Sequence, residues 1–112
     1  MSVVYTISMK IYCSGIGGIG LSALAALLKH EGHEVMGSDR SDSALLQDLR
    51  SQGIAIFLNQ DGSCVPDDID LFLYSEALPE DAPERIRAKE LGVESRNYFG
   101  GLALAEPGKR EI

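Results

Sequence analysis

"GIGGIG", residues 15–20, stands between a short apolar run, "KIYCS" (10–14), and a stretch dense in Ala and Leu. Gly15, Gly17, Gly18 and Gly20 fill four of its six positions. The interior of a helix or strand rejects that density, because each glycine there costs ~0.5–1 kcal/mol relative to Ala. The G-x-G-x-x-G spacing of Gly15, Gly17 and Gly20 gives each glycine a task when a strand precedes and a helix follows. The tasks are a tight turn, close approach of a pyrophosphate, and close packing of helix on strand. Ile16, Gly18 and Ile19 complete a loop whose backbone N–H groups, at the positive end of the helix, favour an anion. A glycine turn with no ligand is the plainer alternative, and the two flanks argue against it.

Outward from this loop, strand and helix alternate. "KIYCS" is short, mostly apolar and ended by Gly15, as a buried parallel strand would be. Over 19–31, Leu21, Leu24, Ala25 and Leu28 repeat on one helical face, and Gly32 supplies a left-handed exit. "EVMGS" (34–38) reads as the second strand. The second helix spans 41–52, capped by Ser43 or Asp42, with Leu45, Leu46 and Leu49 inward and Gly53 at its end. "IAIFL" (54–58) and "IDLFLYS" (69–75) read as the third and fourth strands, separated by a polar loop. A third helix over 82–91 has Pro83 in its first turn, Asp81 and Glu84 at capping-box spacing, and Gly92 closing it. "VESR" (93–96) reads as a short fifth strand, and 97–105 as a helical turn or two weakened by Gly100 and Gly101. The pattern predicts an α/β fold: a Rossmann-like open parallel sheet of about five strands with helices on both faces.

A length of 112 residues fits one domain, and 45% apolar residues supply a core for it. The net charge of −7 argues against a nucleic-acid partner, which needs a basic face. An anionic ligand would therefore be held by local backbone groups rather than by the overall field. No apolar run reaches membrane-spanning length, and the N-terminus lacks the basic start and cleavage site of a signal peptide. Cys13 and Cys64 fit no metal-ligand spacing; Cys13 reads as a buried free thiol, in keeping with a reducing cytoplasm. His30 and His33 flank Gly32 and read as surface residues with no metal partner.

Asp39 lies 19 residues after Gly20, at the end of the second strand, where a carboxylate accepts hydrogen bonds from a ribose diol. Arg40 follows it and is placed to pair with phosphate, stack on a base, or simply face solvent. "YSEALPEDAPE" (74–84) leaves the fourth strand at its carboxyl end, which puts Ser75 and the backbone of Glu76 and Ala77 at the crevice. Glu76, Glu80, Asp81 and Glu84 read as a solvated loop plus a helix N-terminus that favours acids. There is no nucleophile–base pair and no G-x-x-x-x-G-K-[ST]. No catalytic or metal-ligating residue is therefore assigned, and the chain is expected to bind rather than to catalyse.

"GIGGIGLSALAALLKHEGHEVMGSD" (15–39), "YSEALPED" (74–81) and "SRNYF" (95–99) together resemble the N-terminal domain of the Mur ligases. The resemblance covers roughly residues 9–105, and is nearest to the branch that adds L-alanine to UDP-N-acetylmuramate. It implies a Rossmann-like UDP-sugar-binding domain over 1–105, with 106–112 starting a linker to a central ATP-binding domain. By the same resemblance, Gly15 to Gly20 would face the diphosphate, Asp39 and Arg40 the uridine, and Ser75 and Ala77 the opposite wall, with Arg96 as a further contact. Such an enzyme works in cytoplasmic peptidoglycan synthesis with ATP and magnesium, through an acyl phosphate. Those cofactors would be held by the central and C-terminal domains, since the family's "GTHGK[ST]" is not among these residues. Two positions depart from the pattern. Leu21 stands where Met is usual, and Glu76 where a second Ser is usual, which adds negative charge beside an anionic ligand. The residues alone also suit the NAD-binding half of an oxidoreductase, because Asp39 fits an NAD ribose equally well. A nucleotide-sensing module and the related murein-peptide-recycling ligase are further alternatives.

Overall fold

The apolar run before the glycine loop is the central strand of a five-stranded parallel sheet in the computed structural model, which describes residues 8–105. The linker expected at 106–112 lies outside the described residues. The elements are β1 (Lys10–Ser14), α1 (Ile19–His30), β2 (Glu34–Ser38), α2 (Ala44–Ser51), β3 (Ala55–Phe57), β4 (Leu71–Tyr74), α3 (Pro83–Leu91), β5 (Glu94–Asn97) and α4 (Tyr98–Ala105). Their order in the sheet is β3-β2-β1-β4-β5, all parallel. The chain builds outward from β1 to β3, then returns to the other side of β1 to lay down β4 and β5. The topological switch point lies between β1 and β4, where open α/β sheets bind ligands at the carboxyl ends. Register keeps those ends level: Ser14 pairs with Ser38 and with Tyr74, Ser38 with Phe57, and Tyr74 with Asn97.

Side chains alternate across the sheet into two cores. Ile11 and Cys13 of β1 pack with Leu21, Leu24, Ala25 and Leu28 of α1 and with Leu46 and Leu49 of α2, and Tyr98 of α4 joins them. Tyr12 faces the other way, against Met36, Phe72, Ala88 of α3, and Val65 and Ile69 from the loop that precedes β4. Helices therefore cover both faces, as the alternation of elements predicts. The helix periodicity also holds: Leu21, Leu24, Ala25 and Leu28 are all buried. Ser43 caps α2, its hydroxyl accepting from the Leu46 N–H at 3.2 Å. Leu45, expected inward, is exposed.

Two local expectations need correction. The capping box at α3 does not form: Ala82 is the N-cap with no side-chain bond, and Glu84, expected in solvent, is 1% exposed. Tertiary partners described below draw it inward. His33, expected at the surface, is buried, and its Nδ1 accepts from the Met9 N–H at 3.0 Å. Residues 98–105 form an eight-residue helix, the turn or two expected there, despite the glycine pair. A Cβ at Gly101 would lie 2.8 Å from Leu24 Cδ2 and 3.1 Å from Leu73 Cδ2, so this glycine lets α4 settle onto α1 and the sheet.

Candidate nucleotide-binding crevice

The carboxyl ends of β1, β2 and β4 and the loop after β3 enclose a crevice of about 290 Å³, lined by Gly15, Gly18, Asp39, Arg40, Gln60, Ser75, Ala77, Leu78 and Pro79. Gly15 turns with φ +83°, a left-handed conformation open to glycine, and a Cβ there would sit 3.1 Å from Ser75 Cβ. The N–H groups of Gly15 and Ile16 both donate to the Ser38 carbonyl at 2.9 Å, and Gly18 N–H donates to the Gly15 carbonyl at 3.1 Å. Gly17 N–H donates to Asp39 Oδ2 at 2.7 Å.

These bonds redistribute the tasks expected of the glycines. A Cβ at Gly17 would lie 2.6 Å from Asp39 Oδ2, so its bareness admits the carboxylate of its own chain. A Cβ at Gly20 would lie 2.8 Å from the Tyr98 ring, so this glycine packs α1 against α4 rather than against a strand. Gly18 has the open face: nothing but the Gly15 carbonyl, at 3.5 Å, stands near its missing Cβ. Gly18 is also the N-cap of α1 and supplies no side-chain acceptor. The first-turn N–H groups of Ile19, Gly20 and Leu21 are therefore the loop's orphan donors, at the positive end of a 12-residue helix. An anion would meet them here.

Asp39 is half-buried at the rim, its Oδ1 accepting from the Arg40 N–H at 2.7 Å. A carboxylate has about four acceptor sites, so two internal bonds leave capacity for a diol. The Arg40 side chain is exposed. Across the crevice, Ser75 N–H donates to the Ser14 carbonyl at 3.1 Å and Leu78 N–H to the Ser75 carbonyl at 3.0 Å, folding a short lip. Arg85 of α3 braces that lip: its guanidinium stacks 4.1 Å from the Tyr74 ring centroid and donates to the Leu78 carbonyl at 3.1 Å. Glu76 is exposed and outside the lining.

Of the residues expected at the site, Gly15, Gly18, Asp39, Arg40, Ser75 and Ala77 come together. Gly17 and Gly20 shape the loop behind them. The Ile16 side chain is buried in the first core, and Ile19 stands 89% exposed at the start of α1. Arg96 is not in the lining; it pairs with Glu94, and its guanidinium reaches the Gly100 carbonyl at 3.4 Å. Gln60, Leu78 and Pro79 were not read from the sequence. Gln60 could have been: it follows the third strand at the ligand-facing end of the sheet.

Beneath the crevice floor, Glu84 joins α3 to β1 and β2. Its carboxylate accepts from Tyr12 Oη at 2.6 Å, Ser14 Oγ at 2.5 Å and Ser38 Oγ. Burial, and then the Glu84 bond, push the Tyr12 phenol well above its ordinary range. Burial alone pushes the Cys13 thiol up to about 12, which makes it a poor nucleophile. Among the described residues no group of three or more His, Cys, Asp or Glu could hold a metal ion. No described helix is long and apolar enough to cross a membrane.

The model of the Mur ligase family, catalytic domain, matches residues 10–106. The chain belongs to the Mur ligase family. It is 39% identical over 99 residues to the UDP-N-acetylmuramate–L-alanine ligase of Caldicellulosiruptor saccharolyticus, an alignment covering 87% of this chain and 22% of that protein. The solved UDP-N-acetylmuramate-alanine ligase of Thermotoga maritima superposes with a TM-score of 0.80 at 35% identity, over 85% of this chain and 22% of that one. A murein peptide ligase of Psychrobacter arcticus also superposes at 0.80, over 87% of this chain and 20% of that one; at 22% identity it shows the shared fold alone. The chain spans about a fifth of the length of the curated relatives it matches.

Proposed function

We propose that this chain binds the UDP portion of UDP-N-acetylmuramate, as the first domain of an ATP-dependent ligase that joins L-alanine to that sugar in cytoplasmic peptidoglycan synthesis. The observation that carries this reading is the crevice itself. Gly18, the N-cap of α1, brings the helix's positive end to the crevice wall for a diphosphate, with Asp39 and Arg40 one strand further on for the nucleoside. Relatives that the chain matches at 35–39% identity are named for this ligation. ATP and magnesium would act on the central and C-terminal domains of the parent enzyme, and residues 106–112 would begin the linker to them. Gly18 and the α1 N-terminus would meet the diphosphate, Asp39 the ribose, and Ser75 and Ala77 the opposite side. Arg96, held by Glu94 and Gly100, would approach the ligand after exchanging those partners.

Thermal unfolding of the 112-residue chain with UDP-N-acetylmuramate or NAD tests this reading. A hundredfold excess over Kd stabilises by ~2.7 kcal/mol, which is several degrees for a domain of this size. The UDP-sugar is expected to raise Tm and NAD to leave it unchanged. Stabilisation by NAD alone would assign the crevice to a dinucleotide instead.

A further inference from the structure

The Glu84 cluster has a directional consequence at the crevice. A carboxylate only accepts, so the single hydrogens of Tyr12 Oη, Ser14 Oγ and Ser38 Oγ all point at Glu84. With its hydrogen committed, Ser38 Oγ has only lone pairs left for any other neighbour. That neighbour is Gln60, whose Nε2 lies 3.1 Å away. Only the NH₂ end of the Gln60 amide can face Ser38, because the carbonyl end would set acceptor against acceptor. The amide is thereby denied its flipped orientation, and its Oε1 is left for the crevice wall that Gln60 forms. Ser38 is fully buried and Glu84 is 1% exposed, so water does not relax this arrangement.

The order of strand ends says what Oε1 would meet. The glycine loop lies over β1, Asp39 and Arg40 follow β2, and Gln60 lies three residues past the end of β3. A nucleotide with its diphosphate at the α1 N-terminus and its ribose at Asp39 carries its base onward to Gln60. We propose that Gln60 is a specificity-determining residue that reads the base edge, and that Glu84 and Ser38 are positioning residues that fix its amide from the interior. An outward carbonyl accepts from the imide N3–H of uracil. The same carbonyl faces the unprotonated N3 of cytosine as acceptor against acceptor, and an unpaired buried acceptor is what gives a site discrimination. This inference rests on the UDP-sugar reading above.

Calorimetric titration of the 112-residue chain with UDP and with CDP tests it. The wild-type chain is expected to bind UDP roughly tenfold more tightly than CDP, the size of one net hydrogen bond. Gln60→Ala should weaken UDP about tenfold, leave CDP nearly unchanged and bring the ratio near one. Ser38→Ala keeps the amide but frees it to turn over, so the ratio should fall through tighter CDP binding; this rise is not expected of mere structural damage. If Ser38→Ala fails to fold, Gln60→Ala decides alone. Equal wild-type affinity for UDP and CDP, or an unchanged ratio in folded Gln60→Ala, overturns this inference and leaves UDP binding standing. No wild-type binding of either nucleotide overturns the functional reading together with it.

Discussion

A carboxylate removed from water is tolerable only when hydrogen bonds replace its hydration, and Glu84 takes three from Tyr12, Ser14 and Ser38. Glu84→Ala would take the shared acceptor from three buried hydroxyl hydrogens and open a cavity, at a cost of about 2–5 kcal/mol. Tyr12→Phe removes one bond to a charged group and should cost ~1.5–3 kcal/mol. Urea unfolding checks both, with a lower midpoint and an unchanged slope expected. Cys13 makes a separate prediction in alkali. Its thiol ionises near 12 when folded, against an ordinary value of 9.0. The contribution is intact below pH 9, where both states hold the proton. It is lost as pH rises from 9 toward 12, because the unfolded chain releases its proton first. Stability should fall through that window by roughly 1 kcal/mol per pH unit from this group. Cys13→Ala should flatten the decline in unfolding experiments repeated across pH. The burial of Cys13 was legible from its apolar strand, and that of Glu84 was not. Glu84 carries the marks of an exposed helix start, and only the meeting of alternate positions on β1 and β2 with α3 makes it interior.

The elements themselves were easier to read, for a physical reason. Strands buried on both faces are short and continuously apolar, and α1 repeats its leucines at 3.6-residue spacing, so both patterns are local. Ser43 is local too, since a cap acts within three residues of itself. Ser43→Ala should destabilise by about 0.5–2 kcal/mol, measured as a downward shift in Tm with native circular dichroism retained. The last helix is as short as expected: Gly100 and Gly101 lower its intrinsic propensity, and contact with α1 supports its formation. Gly101→Ala separates these effects. Overpacking against Leu24 and Leu73 costs ~1–3 kcal/mol, and helix propensity returns about 1 kcal/mol, so a small net loss is expected where an exposed glycine would give a gain. Gln60 was missed for the opposite reason to Glu84: it lies in an irregular loop, where position in the sheet carries the information and periodicity carries none.

For the whole molecule, the glycine loop, the ends of β2 and β3 and the lip after β4 meet only because the strand order reverses beside β1. Distant positions, Gly15 and Gly18, Asp39 and Arg40, Gln60, and Ser75 with Ala77, share one crevice. The Asp39 and Gly17 pair belongs to this scale. Asp39→Ala removes the carboxylate that receives Gly17 N–H, and with it the proposed ribose contact. UDP-sugar binding should weaken by ~1–3 kcal/mol in titration, with the sheet intact. The isolated chain should turn over no ATP with or without magnesium, because it carries no lysine-bearing phosphate loop. A phosphate-release assay on the purified chain checks this.

The four internal bonds of Gly15, Ile16, Gly17 and Gly18 mean that this loop is already shaped before any ligand arrives. Binding then pays little ordering entropy, and the free and occupied backbones should coincide. Amide hydrogen exchange would display the division. Those four N–H groups should be slow in the empty protein, while Ile19, Gly20 and Leu21 exchange quickly and slow down only when an anion occupies the helix end. The loop is, in effect, a rigid socket with three open terminals.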